Sequence, residues 1–405
     1  MSLSRAGANE RAPMWQPVEM LSPRGFLGHV ANVGVKDETL DFLLVVSEVP
    51  SAAAGVFTRN RFAGPCVDIS RAHVAGGVLS ALVAVSKNAN VALGDIGRRD
   101  ARAVVDAAAR LLEVDHASVA IAATGVIGRR LPVERVTGHL SAMAAAEHKA
   151  LGPLDLVEAA RAIMTTDTVP KAASVGVGNA VVAGIAKGVG MIAPDMATLL
   201  AFFFTDAEVS AAALDAMFRR VVGKTFNCLS IDTDTSTSDT ALVMANGLAG
   251  PVEADALEEA LGCVALDLVK QVARDGEGAT KLLEVTVEDA RDEEQAKRVA
   301  RLVVDSPLVK TAVHGADPNW GRVAMAVGKA QDDLDIDPER TVIRFAGTEV
   351  YPGRVDDAGL ARLARSMRED SVSISVSLGC GDASATVWGC DLSAEYVRIN
   401  ADYTT

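Results

Sequence analysis

The central segment, residues 184–204, sets a lysine, several glycines, an aspartate and a threonine ahead of a long apolar run. A phosphate-cradling loop needs GxxxxGK followed by Ser or Thr, but Lys187 is followed by Gly188. A dinucleotide fingerprint fails too, because GxGxxG spacing at a strand-to-helix junction is missing. Thr198 offers a different chemistry. It follows the small residue Ala197 and precedes the apolar residues 199–204. A threonine hydroxyl is a weak nucleophile, but cleavage just before it would free an α-amine with a pKa of about 7.7–8.0. That amine can take a proton at neutral pH and activate its own hydroxyl. Pattern alone favours the plainer alternative, that Thr198 opens a buried strand, and does not identify an N-terminal nucleophile.

Asp232, Asp234 and Asp239 alternate with Ser and Thr between Ser230 and Thr240. A calcium loop would want Gly where Thr237 stands, so a polar loop closed by side-chain-to-backbone hydrogen bonds is preferred. The six histidines form no HExxH pair and GxSxG is missing, which removes zincin and nucleophile-elbow chemistry. Five scattered cysteines without a CxxC pair read as free buried thiols, not as a disulfide framework or zinc site.

Such residues must be carried by alternating helices and strands. Asp100 is positioned to cap a helix with apolar residues Val104, Val105, Ala108, Leu111 and Leu112. Leu214, Met217, Phe218, Val221 and Val222 mark a second helix. Leu257, Leu261, Val264, Leu268 and Val272 mark a third, stopped at Asp275-Gly276. Period-two alternation predicts strands at Leu283, Val285, Val287 and at Val372, Ile374, Val376, Leu378. Residues 288–301 read as a solvated loop and helix, and the Gly-rich residues 176–190 divide the chain. The class is α/β with layered helices and sheets.

The 405 residues are 49% hydrophobic but only 4% aromatic, so the core is built from small and β-branched side chains. A net charge of −14 without a basic block excludes nucleic acid and anionic membrane as expected partners. Residues 1–17 are polar, with no apolar stretch of a secretory signal, and no run approaches a membrane span. The expected location is cytoplasmic.

Eleven stretches resemble, in order, the ornithine acetyltransferase family, also called bifunctional arginine-biosynthesis or glutamate N-acetyltransferases. They are Gly55-Val-Phe-Thr58, Asn88-Ala-Asn90, Ala123-Thr-Gly-Val-Ile-Gly128, Met164-Thr-Thr-Asp-Thr168, Lys187-Gly-Val-Gly-Met191, Met196-Ala-Thr-Leu199, the acidic loop 232–240, Asp275-Gly-Glu-Gly-Ala-Thr-Lys281, Leu308-Val-Lys310, Asp317-Pro-Asn-Trp-Gly-Arg322 and Tyr396-Val-Arg-Ile-Asn400. The resemblance implies a layered α/β/β/α fold of N-terminal-nucleophile-like type. It implies self-cleavage between Ala197 and Thr198 into two intertwined chains. On this view 1–24 is a loose tail, 25–197 the α chain and 198–405 the β chain. Within the β chain, 198–285 completes the core, about 286–390 forms a smaller subdomain, and 391–405 is a tail folding into the site.

By the same resemblance Thr198 is the nucleophile, Thr124 and Gly125 form the oxyanion hole, and Thr165, Lys187, Thr198, Glu277, Asn400 and Thr405 contact substrate. Without it, Thr124-Gly125 would be an ordinary turn after a strand ending at Ala123, and Lys187 and Glu277 surface residues. The implied reaction moves acetyl from N2-acetylornithine to glutamate with no metal or diffusible cofactor, in a processed α2β2 assembly. Lys87 stands where a Gly is expected, and Arg129-Arg130 where an acid is common. The acidic loop is most similar to the branch found beside clavulanic-acid genes. These departures leave the core chemistry alone but keep the physiological substrate and acyl donor open, acetyl-CoA included. Two rival functions stand beside this reading: an N-acyl-amino-acid amidase or aminopeptidase on the same fold, and an uncleaved binding protein.

Overall fold

Residues 200–204 are apolar at every position, so no single face of this strand can be the wet one; it must lie between two apolar layers. The computed structural model describes residues 20–146, 150–192 and 199–402, so Ala197, Thr198, Thr405 and most of the expected tail 1–24 lie outside the described residues. The strands are β1 (Phe26–Ala31), β2 (Phe42–Phe57), β3 (Val78–Asn88), β4 (Val119–Val126), β5 (Gly152–Pro153), β6 (Lys171–Val177), β7 (Ala180–Lys187), β8 (Leu200–Glu208), β9 (Thr240–Pro251), β10 (Leu282–Ala290), β11 (Val342–Phe345), β12 (Thr348–Tyr351), β13 (Ser371–Ser377) and β14 (Ala383–Cys390). The helices are α1 (Pro65–Val74), α2 (Gly94–Leu112), α3 (Val133–Ala145), α4 (Leu156–Ile163), α5 (Ala211–Lys224), α6 (Ala254–Arg274), α7 (Glu293–Val304), α8 (Pro307–His314), α9 (Trp320–Val327), α10 (Asp357–Ser366) and α11 (Ala394–Asp402).

The larger sheet runs β4-β3-β2-β9-β8-β7-β6, with β1 beside β2 and β5 beside β1. It does not lie flat. β4 and β7 are five steps apart in this order, which at ~4.8 Å per step would separate them by ~24 Å. Yet the Lys187 ammonium on β7 lies 3.4 Å from the Thr124 hydroxyl on β4. The sheet therefore curls over on itself. The long strand β2 makes the corner: residues 42–46 pair with β3, residues 52–57 with β9, and the register shifts between Val46 and Ser51. An irregularity of this kind bends a strand and sharpens its twist.

Curling makes two layers from one sheet. Leu43, Val45, Leu82 and Ala84 from the first share one core with Ile185, Phe202, Phe204 and Met244 from the second. Outside the first layer, Phe42, Leu44, Val83 and Val85 pack with α2 and α3. Outside the second, Val182, Ala201 and Phe203 pack with α5 and α6. The order is the expected α/β/β/α, and it accounts for the unbroken apolar run of β8: Phe202 and Phe204 face inward while Phe203 faces the helices. A second sheet, β12-β11-β13-β10-β14, carries the two strands foreseen from alternation as parallel neighbours, covered by α7. No described helix is long and apolar enough to cross a membrane.

Local expectations need four corrections. Helix α2 starts at Gly94, ahead of Asp100, whose buried carboxylate accepts two hydrogen bonds from Arg130 at 2.9 and 2.8 Å and so caps nothing. Thr124 and Gly125 form no turn; they continue β4 opposite Ser86 and Lys87. Residues 288–290 complete β10, and α7 buries Val299, Ala300 and Val303, so that stretch is only partly solvated. The thiols are free, but Cys263 lies off the apolar stripe of α6 and is exposed, and Cys380 is half-buried.

Phe203 is fully buried and packs its ring against Phe218 and Phe226 at centroid distances of 5.4 and 6.0 Å. Phe203→Ala is expected to cost about 3–5 kcal/mol in denaturant unfolding, whereas Phe62→Ala, at a side chain 71% exposed, is expected to change stability by less than about 0.5 kcal/mol. Similar losses at both positions would contradict this account of the core.

Candidate active site

The curl opens a cavity of about 340 Å³ where the ends of β4 and β7 meet. Thr124, Gly125, Thr165, Lys187, Glu277 and Asn400 all line it. These are every expected site residue that falls within the described residues. They come from five separate segments, so the fold, not local spacing, assembles them.

Gly125 is there for steric reasons. Its φ is +136°, and a Cβ would stand 2.2 Å from the Lys87 carbonyl carbon on β3. Only glycine lets the two strands approach with this geometry. Lys87 is itself at φ +70°, and its ammonium turns to Asp37 at 2.6 Å. Lys187 is not a surface residue, and Glu277 is half-buried. Lys187 is 3% exposed, buried at the end of β7 opposite Leu200. Glu277 follows the end of α6. Its carboxylate accepts from the Asn400 amide at 2.9 Å and from the Thr166 hydroxyl at 3.1 Å. Gly190 permits this, since a Cβ there would sit 2.6 Å from the Glu277 carboxylate.

The chain leaves β7 at Lys187 and re-enters the sheet at β8, so the cleavage candidates Ala197 and Thr198, themselves outside the described residues, belong to the connection between two neighbouring strands. Its far end is anchored: the Leu199 N–H donates to Asp239 Oδ1 at 2.7 Å and the Thr240 N–H to the Leu199 carbonyl at 3.0 Å. Asp239 is fully buried, and among the described residues its Oδ2 has no hydrogen-bond partner. Burial pushes its pKa well above the usual carboxylate value, against the Leu199 hydrogen bond and Lys187. At the near end Asp232 accepts the Met191 and Ile192 N–H groups at 2.6 and 2.8 Å. Burial raises its pKa, and those two bonds partly offset the rise.

The acidic loop 232–239 is thus the hydrogen-bonded polar loop expected, but it is also a wall of the cavity, which sequence reasoning missed. Tyr396 was missed too. Its hydroxyl lies 3.4 Å from Asp232 Oδ2, and burial and that carboxylate raise its pKa above the phenolic norm. The available signal was its spacing from Asn400, which puts both on one face of α11. Lys187 has its pKa lowered by burial, with Asp167, Asp239 and Glu277 acting the other way. Asp167 lies behind the wall. It accepts from the Gly188 and Thr165 N–H groups at 2.7 and 3.0 Å and pairs with Lys171 at 2.7 Å. Burial raises the Asp167 pKa, but Lys171 and Lys187 outweigh it and hold it at about 2.

A threonine hydroxyl, a strand backbone at a strained glycine, one buried ammonium and several carboxyls on a single small cavity suit a zwitterionic substrate with a polarised carbonyl.

A family model described as the ArgJ family matches residues 28–405. Arginine biosynthesis bifunctional protein ArgJ 2 of Nostoc sp. is 53% identical over 384 residues, covering 95% of this chain and 98% of its own. Glutamate N-acetyltransferase Oat2 of Streptomyces clavuligerus is 54% identical over 390 residues, again covering 95% and 98%. A crystal structure of arginine biosynthesis bifunctional protein argJ from Bacillus halodurans is 38% identical, with a TM-score of 0.46, covering 49% of this chain and 96% of that one.

Because Asp167 titrates lower folded than unfolded, its contribution is complete above about pH 4 and is lost as pH falls through about 2. Urea unfolding across pH 6 to 2 is expected to show the stability gap between wild type and Asp167→Asn shrinking by on the order of 2–3 kcal/mol over that window. A gap independent of pH would contradict the assignment.

Proposed function

The chain belongs to the ArgJ family, and from that premise we propose that it moves an acetyl group from N2-acetyl-L-ornithine to L-glutamate through an ester on Thr198. The observation that carries this reading is the whole-chain match to the family, over residues 28–405. The gathering of Thr124, Gly125, Lys187, Glu277 and Asn400 on one cavity, beside the strand that Leu199 leads into, supports it.

Maturation begins with attack of Thr198 Oγ on the Ala197 carbonyl. The resulting ester is hydrolysed by water, leaving Thr198 with a free α-amine. The halves 25–197 and 198–405 would remain one body, since β8 pairs with β7 and β9 with β2 across the break. Within the second half we assign 198–285 to the core, about 286–390 to the subdomain and 391–405 to the tail that delivers Asn400 and Thr405.

In turnover the α-amine accepts the Thr198 hydroxyl proton as Oγ attacks the acetyl carbonyl. The tetrahedral oxyanion rests against Thr124 and Gly125, where each donor is worth ~10²–10³ in rate. Lys187 pairs with the substrate carboxylate and Glu277 with its cationic end. The C–N bond breaks, ornithine leaves with the proton, and acetyl-Thr198 remains. The amine of glutamate then attacks the ester carbonyl, and its proton returns through the Thr198 amine to Oγ. Every charge is handled by this chain's own groups. Pairing of processed units as α2β2 and a cytoplasmic location complete the proposal.

The test is Thr198→Ala, expected to yield an intact 42.1 kDa chain with no exchange of acetyl from N2-acetylornithine to glutamate. Wild type should exchange only when glutamate is present; acetylornithine breakdown without glutamate would favour the amidase instead. A cleaved or active Thr198→Ala protein defeats the proposal.

A further inference from the structure

We infer that the buried cluster Lys171, Asp167 and Asp275 is a positioning device for the site, holding Lys187 and Thr165 in place and keeping the Lys187 ammonium charged. The inference rests on the proposed function, in which Lys187 meets a substrate carboxylate.

None of the three residues lines the cavity. Lys171 and Asp167 have fully buried side chains and Asp275 one that is 6% exposed. The Lys171 ammonium bridges Asp167 at 2.7 Å and Asp275 at 2.6 Å. Each carboxylate also grips backbone. Asp167 takes the N–H groups of Gly188 and Thr165, one next to Lys187 and the other on a cavity residue itself. Asp275 takes the Thr168 N–H at 3.0 Å and its hydroxyl, and stands two residues before Glu277. One ammonium thus ties together three wall segments: 165–168, 187–188 and 275–277.

Buried ion clusters of this kind are often no more stabilising than a packed apolar substitute. What an apolar substitute would not supply is charge. Two carboxylates around one ammonium leave a net negative cluster, and Lys187 is its complement. Among the described residues, the charged groups that act most strongly on Lys187 are Asp167, Lys171, Asp239 and Glu277. Asp239 is pushed toward its neutral form by burial, and Glu277 is engaged by Asn400 and Thr166. Of the carboxylates acting on Lys187, Asp167 does most to sustain the ammonium, and Lys171 is the like charge that opposes it.

The two roles separate by sign. Asp167→Asn keeps the size and an oxygen acceptor but removes the charge, so Lys187 deprotonates more easily. The alkaline limb of kcat/KM for N2-acetylornithine should move to lower pH by about one pH unit or more. Lys171→Met removes a like charge and should move the limb to higher pH. A second readout does not use activity: competitive acetic anhydride labelling of Lys187 across pH, quantified by mass spectrometry, should shift the same way in each variant. If Asp167→Asn does not fold, Lys171→Met carries the test alone. Variants that lose activity equally at every pH, with limb and labelling curve unmoved, overturn the inference. A wild type whose Lys187 behaves as expected but that exchanges no acetyl defeats the proposed function and leaves this inference standing.

Discussion

The site exists because the larger sheet closes on itself. Lys187 and Thr124 sit on strands five steps apart in the sheet order, and only the bend in β2 and the shared inner core bring their side chains within 3.4 Å. The inner core mixes small and aliphatic side chains with phenylalanines from both layers, Phe26 meeting Phe204 at a centroid distance of 5.3 Å. Burying it is what drives the layers together. The chemistry is therefore a consequence of the same packing that makes the fold, and the cavity is the open end of that sandwich.

Closing the layers creates an electrostatic problem. Lys187, Lys171, Asp167, Asp239 and much of Asp232 are taken out of water. The structure handles them in two ways. Asp167 is held ionised by its ion pair with Lys171, while Asp239 is driven toward its neutral form and holds a backbone amide. The outcome is a cavity whose buried ammonium is backed from behind by Asp167 and Asp239, which do not line it, while Glu277, Asp232 and Asp234 do, so that one cavity offers both signs of charge to a zwitterion.

Much of the fold was legible. The stripe of α6 and the alternation of β10 and β13 follow from period alone, because each element has one apolar face. The unbroken run of β8 was visible as a strand, but not why it was apolar throughout, since that depends on a second layer distant in sequence. Asp100 read as a cap because local spacing cannot reveal that Arg130 returns to it. Thr124, Gly125, Thr165, Lys187, Glu277 and Asn400 were named from family resemblance, and the structure brings them to one cavity. Nothing in their local pattern marks them, for a lysine and a glutamate beside glycines look solvent-facing until the fold buries the one and half-buries the other. Asp167, Lys171, Asp239 and Tyr396 were missed because their roles lie in contacts that span the chain.

The most direct measurement is acid-quenched mass spectrometry of the purified protein mixed with N2-acetylornithine in the absence of glutamate. The account predicts two polypeptides, the second beginning Thr198-Leu199-Leu200 and carrying one acetyl group on Thr198 that disappears when glutamate is added. An acetyl group that accumulates on any other residue, or acetyl exchange by a chain that remains a single polypeptide, would contradict it.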